Sequence, residues 1–157
     1  MHSSRARSES WTLAHLVPLP ENRFALAAIQ RLARSLAAPA ANPLVLHGPP
    51  GSGKTHLVQA LADELCRKTP GLSVALLSAG DFKEPDTAPS FANSDADLLI
   101  VEDLQHLPIR AAETFIALLD ERLAHGLATV VTATIGPRRL VLLPARLTSR
   151  LAGGLVV

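Results

Sequence analysis

The sequence predicts an α/β domain in which a five-stranded parallel sheet lies between two layers of helices. Short apolar runs alternate along the chain with longer segments whose apolar residues recur at helical spacing. The 157 residues are 48% hydrophobic and 18% charged, which suits one globular domain with a sizeable core. Strands that alternate with helices are typical of a parallel sheet covered on both faces.

The expected strands are short apolar runs, and the expected helices are longer segments bounded by Gly, Pro or Asn. The strands are predicted over residues 44–47, 73–78, 97–103, 128–134 and 154–157. The helices are predicted over residues 22–38, 54–68, 110–126 and 144–153. Gly126 suits the C-terminal cap of its helix, and residues 80–94, rich in Pro, Ser and Asp, suit a loop.

Composition narrows the classes of function. With a net charge of +1, the protein as a whole lacks the positive electrostatic potential that favours nucleic-acid binding. The single cysteine, Cys66, excludes an intramolecular disulfide, and we expect a buried structural thiol there. Residues 1–10 are polar and predict a disordered tail. No apolar run approaches the roughly 20 residues of a membrane helix, so we expect a cytoplasmic protein without membrane contact.

A phosphate-binding loop is predicted between the first strand and the second helix. Gly48, Gly53, Lys54 and Thr55 fit the pattern G-x-x-x-x-G-K-[ST]. Glycines let successive backbone N–H groups face inward, and the following helix adds its positive end. We expect Lys54 to reach the β- and γ-phosphates and Thr55 to ligate Mg²⁺. The predicted nucleotide-binding residues are Gly48, Pro49, Pro50, Gly51, Ser52, Gly53, Lys54, Thr55 and His56.

Two acids end the third predicted strand, in the segment "LLIVEDLQ". Parallel sheets of this kind bind their ligands at the carboxyl ends of the strands. Of Glu102 and Asp103, one acid can hold Mg²⁺ and the other can orient or deprotonate an attacking water.

Three segments together resemble a known family. "GKTHL", "DLLIVEDLQHL" and "PARLTSRLAGGLVV" are similar to the ATPase core of the bacterial chromosomal replication initiator (DnaA) family, within the AAA+ class. The resemblance extends from about Trp11 to Val157. It implies a three-layer P-loop NTPase fold, the AAA+ base subdomain, over residues 11–157. The family's helical lid and its DNA-binding domain are expected to be absent.

The resemblance also implies roles for the acids and for Thr134. Glu102 takes the metal-side position, together with Thr55, and Asp103 takes the position of the catalytic acid. The family usually has Asp at the first of these positions, so Glu102 is a departure that puts efficient hydrolysis in doubt. Thr134 falls at the sensor 1 position, where a polar residue touches the γ-phosphate or the water.

Two arginines near the end of the chain match the family's box VII. They are Arg146 and Arg150, and Arg150 takes the place of the arginine finger that acts on ATP in a neighbouring subunit. A planar, permanently charged guanidinium suits that task.

The leading hypothesis is an ATP-binding AAA+ module that binds ATP or ADP with Mg²⁺ and acts as an assembly switch in replication initiation or its regulation. We expect a slow Mg²⁺-dependent ATPase, homo- or hetero-oligomers with AAA+ subunits, and no direct DNA binding by this chain. One alternative is a non-hydrolysing regulatory relative that docks on an initiator or helicase loader. Others are another P-loop NTPase or small-molecule kinase, and a truncated reading frame. Turnover separates the first two hypotheses.

Overall fold

A computed structural model describes residues 12–37, 41–82 and 95–157. The strands are β1 (Leu44–His47), β2 (Val74–Ser78), β3 (Leu98–Glu102), β4 (Ala128–Ala133) and β5 (Leu155–Val156). The α-helices are α1 (Arg23–Arg34), α2 (Lys54–Lys68), α3 (Ala112–Ala124) and α4 (Ala145–Ala152). The predicted tail, residues 1–10, and residues 83–94 of the predicted loop lie outside the described residues.

The five strands form one parallel sheet in the order β2-β3-β4-β1-β5. The register pairs Val45 of β1 with Val131 of β4, and Ile100 of β3 with Val130 of β4. Most residues of the central strands are apolar because both of their faces are buried, and Thr129 and Thr132 of β4 are buried polar exceptions.

Side chains of alternate strand residues enter two separate cores. Leu99 and Val101 join the core that includes residues of α3 and α4, whereas Leu98 and Ile100 join the core that includes residues of α1 and α2. The period of two along each strand thus places helices on both faces. The three-layer α/β prediction is confirmed.

The ends of the helices differ slightly from the prediction. The first helix ends at Arg34, because Ser35 has an extended backbone with φ of −148°. The helix predicted over 110–126 begins at Ala112, after a 3₁₀ turn over Ile109–Ala111. Gly126 has a φ of +66°, and it follows α3 as the predicted cap.

The predicted burial of Cys66 is wrong, because its side chain is exposed. The buried face of α2 includes Leu57, Leu61 and Leu65. Cys66 lies in the last turn of α2, directly after Leu65, which is the last buried residue of the helix.

A buried arginine that the sequence did not single out links α3 to β4. The Arg122 side chain is fully buried, and its Nε donates to Thr129 Oγ1 at 3.1 Å while an Nη donates to the Ala128 carbonyl at 2.6 Å. Burial lowers the pKa of Arg122, and Asp95 and Asp97 oppose that effect through their charges. Arg122 is therefore a structural cation that fixes the start of β4 against α3.

No helix in the described parts of the chain is long and apolar enough to cross a membrane.

Asp97 ties β3 to the start of β2, and this contact generates a pH prediction. Its carboxylate accepts the backbone N–H of Ser73 and the hydroxyl of Ser73, both at 2.8 Å. These hydrogen bonds lower the pKa of Asp97 from its ordinary value. Its contribution to stability is therefore present above its unfolded pKa, near 3.9, and is lost as pH falls through the lower folded value.

We expect Asp97→Asn to reduce the loss of unfolding free energy between about pH 5 and pH 2, because the titrating carboxylate is gone. Urea unfolding across that range measures the slope, and Asp63→Asn on α2 provides a control. An unchanged slope in Asp97→Asn would contradict this role.

Candidate nucleotide-binding site

The loop of the phosphate-binding motif occupies residues 48–53, between the end of β1 and the start of α2. Gly51 and Gly53 have φ values of +81° and +88°, in the left-handed region that favours glycine. A Cβ on Gly48 would lie 2.9 Å from Ser52 Oγ, so a larger residue there would require the Ser52 side chain to move. The loop therefore has the conformation that exposes backbone N–H groups to an anion.

The Lys54 ammonium lies across this loop. Its Nζ donates to the carbonyls of Gly48 at 2.6 Å and Pro49 at 3.1 Å, and to Ser52 Oγ at 3.2 Å. A cation is thus held at the loop, where a phosphate would need charge neutralisation.

One cavity brings the two motifs together. Its volume is about 610 Å³, and it contains residues of the loop, of the segment after β3 and of the segment after β4. Its lining residues are Pro50, Gly51, Gly53, Lys54, Thr55, His56, Asp103, Gln105, His106 and Thr134. Of the other predicted loop residues, Gly48 and Pro49 line a neighbouring cavity of about 750 Å³, which Thr134 also lines, whereas Ser52 lines neither cavity.

Asp103 is held in an unusual backbone conformation. With φ of +58° and ψ of +52°, it is the one non-glycine residue of positive φ in the described parts of the chain. Its N–H donates to the hydroxyl of Thr132 on β4 at 3.0 Å. Such a conformation, held by a neighbouring strand, is frequent at functional sites.

Gln105 links Asp103 to Thr134, and sequence reasoning assigned it no role. Its Nε2 donates to Asp103 Oδ1 at 3.2 Å, and its Oε1 accepts the Thr134 N–H at 3.0 Å. The signal was present in "DLQHL", whose glutamine follows the acids by two positions. Thr132 also carried a signal, because a hydroxyl in an apolar buried strand needs a hydrogen-bond partner.

The structure does not bring Glu102 into the cavity. Glu102 is the last residue of β3, is half-buried and pairs in register with Ser78 of β2. Asp103 is therefore the acid of the pair that faces the loop.

The side-chain oxygens of this site can bind a divalent cation together with phosphate oxygens. The described residues contain no group of three or more His, Cys, Asp or Glu side chains that could hold a metal ion. Mg²⁺, however, is commonly held by one or two protein oxygens together with phosphates and water. The Thr55 hydroxyl and the Asp103 carboxylate line the same cavity and provide oxygens of that kind.

Arg146 and Arg150, the two arginines predicted to match box VII, lie on α4, outside the cavity. Both contact Asp120 of α3: Arg150 Nε donates to Oδ1 at 2.7 Å, and an Nη of Arg146 donates to Oδ2 at 3.0 Å. Their side chains are 49% and 58% exposed, respectively. Neither arginine lines the cavity that contains Lys54 of its own chain.

Comparison with known proteins gives one consistent result. The model of the bacterial DnaA ATPase domain matches residues 8–157. The chain is 34% identical to the chromosomal replication initiator protein DnaA of Mesorhizobium japonicum, over 94% of this chain and 32% of that protein. It is 38% identical to the DnaA protein of Xanthobacter autotrophicus, over 87% of this chain and 29% of that protein. The chain thus spans about a third of the length of these curated relatives.

Solved structures agree with the family match. Domain III of the Thermotoga maritima replication initiation protein DnaA superposes with a TM-score of 0.82 at 26% identity, covering 95% of this chain and 66% of that one. A replication initiator DnaA bound to AMPPCP and single-stranded DNA also gives 0.82, at 25% identity, covering 96% of this chain and 50% of that one. The match over residues 8–157, together with the phosphate loop and the acid beside it, shows that this chain belongs to the bacterial DnaA ATPase domain family, an AAA+ type of P-loop NTPase.

Proposed function

We propose that this chain is an ATP-binding AAA+ module of the cytoplasm that assembles with other AAA+ subunits according to whether ATP or ADP is bound. It would act in the initiation of DNA replication or in the regulation of that step. The observation that carries the proposal is the single cavity lined by Lys54, Thr55, Asp103 and Thr134. The AMPPCP bound to a DnaA relative of the same fold supports it.

Four side chains of the cavity have a chemical task in this proposal. The loop N–H groups and Lys54 bind the β- and γ-phosphates. Thr55, together with phosphate oxygens and water, would hold Mg²⁺, which would neutralise charge on the phosphate oxygens. Asp103 orients a water and accepts its proton, and Thr134 hydrogen-bonds the γ-phosphate or that water.

We propose slow rather than fast turnover. Glu102, which occupies the family's metal-side position, lies outside the cavity, whereas Asp103 lies inside it. With one acid beside the phosphates, the site is better equipped to bind ATP than to hydrolyse it. Slow hydrolysis suits a switch, because the ATP-bound state then persists long enough to assemble.

Arg150 is proposed to act in trans on the ATP of a neighbouring subunit, with Arg146 beside it. Its exposure and its position outside its own cavity support that direction of action. The resulting assembly is head-to-tail, because the donor and acceptor surfaces are different faces of the chain.

The proposal includes no direct DNA contact by this chain. The single-stranded DNA in the relative's structure belongs to that protein. The net charge of +1 supports the same view, because binding to phosphate backbones depends on an excess of Lys and Arg.

The Glu102 position also favours a second candidate function, that of a regulator which binds ATP without hydrolysing it. The two candidates differ in turnover measured with purified protein. Hydrolysis by the wild type no faster than by Asp103→Asn, with ATP binding intact, would favour the regulator.

Thermal unfolding with and without Mg²⁺–ATP tests the nucleotide site. Binding at a hundredfold excess over Kd stabilises the folded state by about 2.7 kcal/mol. We expect that stabilisation in the wild type and its loss in Lys54→Ala, because the loop loses its cation. Arg34→Ala, which removes an exposed positive charge at the end of α1, is the matched control and should keep the shift. A wild type that ATP does not stabilise would refute the proposed function.

Gln105→Ala tests whether the Asp103–Gln105–Thr134 connection serves hydrolysis. We expect ATP turnover to fall roughly tenfold to a hundredfold, because misplacement of a reacting group by about 1 Å has effects of that size. The ATP-induced thermal shift should persist, since the hydrogen bonds of Gln105 go to Asp103 and Thr134 and not to the phosphate loop. Gln59→Ala on α2 is the control, and equal turnover in both variants would exclude the role.

A further inference from the structure

We propose that Asp120 is a positioning residue for trans action: it orients Arg150 so that the terminal nitrogens of this arginine face a neighbouring subunit. The inference rests on the proposed function, in which Arg150 contacts the ATP of that neighbour. It also assigns different roles to Arg146 and Arg150.

Asp120 contacts two arginines of α4, one with each of its carboxylate oxygens. Oδ1 accepts from Arg150 Nε at 2.7 Å, and Oδ2 accepts from an Nη of Arg146 at 3.0 Å. The carboxylate is less exposed than either arginine, at 30% against 49% and 58%. Charge-assisted hydrogen bonds of this length are among the stronger polar contacts, so α3 fixes the rotamers of both arginines.

Because Asp120 binds one nitrogen of Arg150, the other nitrogens of this guanidinium are the ones that can contact a partner. Asp120 takes Nε, and among the described residues it is the one carboxylate in ion-pair contact with Arg150. The two terminal nitrogens therefore remain for other contacts. They form the edge of the guanidinium farthest from the side-chain stem, which suits a phosphate oxygen approaching from outside.

Arg146 is held differently. One terminal nitrogen contacts Asp120 Oδ2 at 3.0 Å, and the other lies 3.8 Å from Glu113 Oε2. The terminal edge of Arg146 thus faces acids of its own chain. We assign Arg146 to bracing α4 against α3 and Arg150 to the contact with the neighbour.

Preorganisation of the Arg150 side chain sets the expected size of the effect on association between subunits. A long side chain that is already ordered loses less conformational freedom when a partner binds, and ordering one such side chain changes affinity by about two- to tenfold. The pKa of Asp120 is held below its ordinary value chiefly by the hydrogen bond from Arg150, so the carboxylate is charged at neutral pH.

The test is sedimentation velocity of the full chain with Mg²⁺–ATP, which measures ATP-dependent self-association. We expect Asp120→Asn to weaken association about two- to tenfold, Arg150→Ala to weaken it more, and Arg146→Ala to weaken it less than Arg150→Ala. Asp120→Glu, which keeps the charge and the acceptors, should restore part of the loss. Glu121→Gln removes the same charge from the next, exposed position of α3 and should change nothing.

A double-mutant cycle separates positioning from a general structural effect. If Asp120 acts through Arg150, adding Asp120→Asn to Arg150→Ala should cause no further loss. The ATP-induced thermal shift of Asp120→Asn should match that of the wild type, because its own nucleotide site is untouched.

Three results would overturn the inference: no change of association in Asp120→Asn, the same loss in Glu121→Gln, or an additive loss in the double variant. If the wild type associates with ATP and Arg150→Ala does not, the proposed function stands whatever Asp120 does. If the wild type shows no ATP-dependent association, both the trans assembly and this inference are refuted.

Discussion

The parallel register of β1, β3 and β4 is the constraint on which the candidate site depends. His47 pairs with Ala133, and Val101 pairs with Val131, so the three strands end near one level of the same edge. The residues that follow them are the phosphate loop, Asp103 and Thr134. Because both faces of these strands are buried, a slip of one residue would place apolar side chains in the wrong core. Packing of the sheet thus fixes the relative positions of groups far apart in sequence.

The parts of this arrangement that depend on local pattern were predictable. The apolar runs gave the strands to within one or two residues, and the glycines of the phosphate loop gave its conformation. Contacts between distant elements were not predictable. The hydrogen bond from Asp103 to Thr132 spans 29 residues, and the exposure of Cys66 depends on the rotation of α2 about its axis. Asp120 carried no signal in the sequence, because its contacts with Arg146 and Arg150 depend on the position of α4 beside α3.

Two surfaces with different tasks follow from this fold. The carboxyl edge of the sheet holds the cavity, whereas α4 carries Arg150 on an exposed face. We propose that Arg150 acts from that face as an arginine finger, so that a nucleotide site is completed only by another subunit. Binding energy from the nucleotide can then favour one assembled state over another. We expect Glu102, which lies outside the cavity, to affect turnover more than this coupling.

The proposed assembly requires that Arg150 of one subunit completes the nucleotide site of another. ATPase activity of a mixture tests this requirement: Lys54→Ala subunits keep the arginine, and Arg150→Ala subunits keep the nucleotide site. We expect the mixture to hydrolyse ATP faster than the sum of its separate components, by roughly tenfold or more given the usual contribution of an arginine finger. The Lys54→Ala/Arg150→Ala double variant should fail to activate Arg150→Ala subunits. A mixture that equals the sum of its components would contradict action in trans.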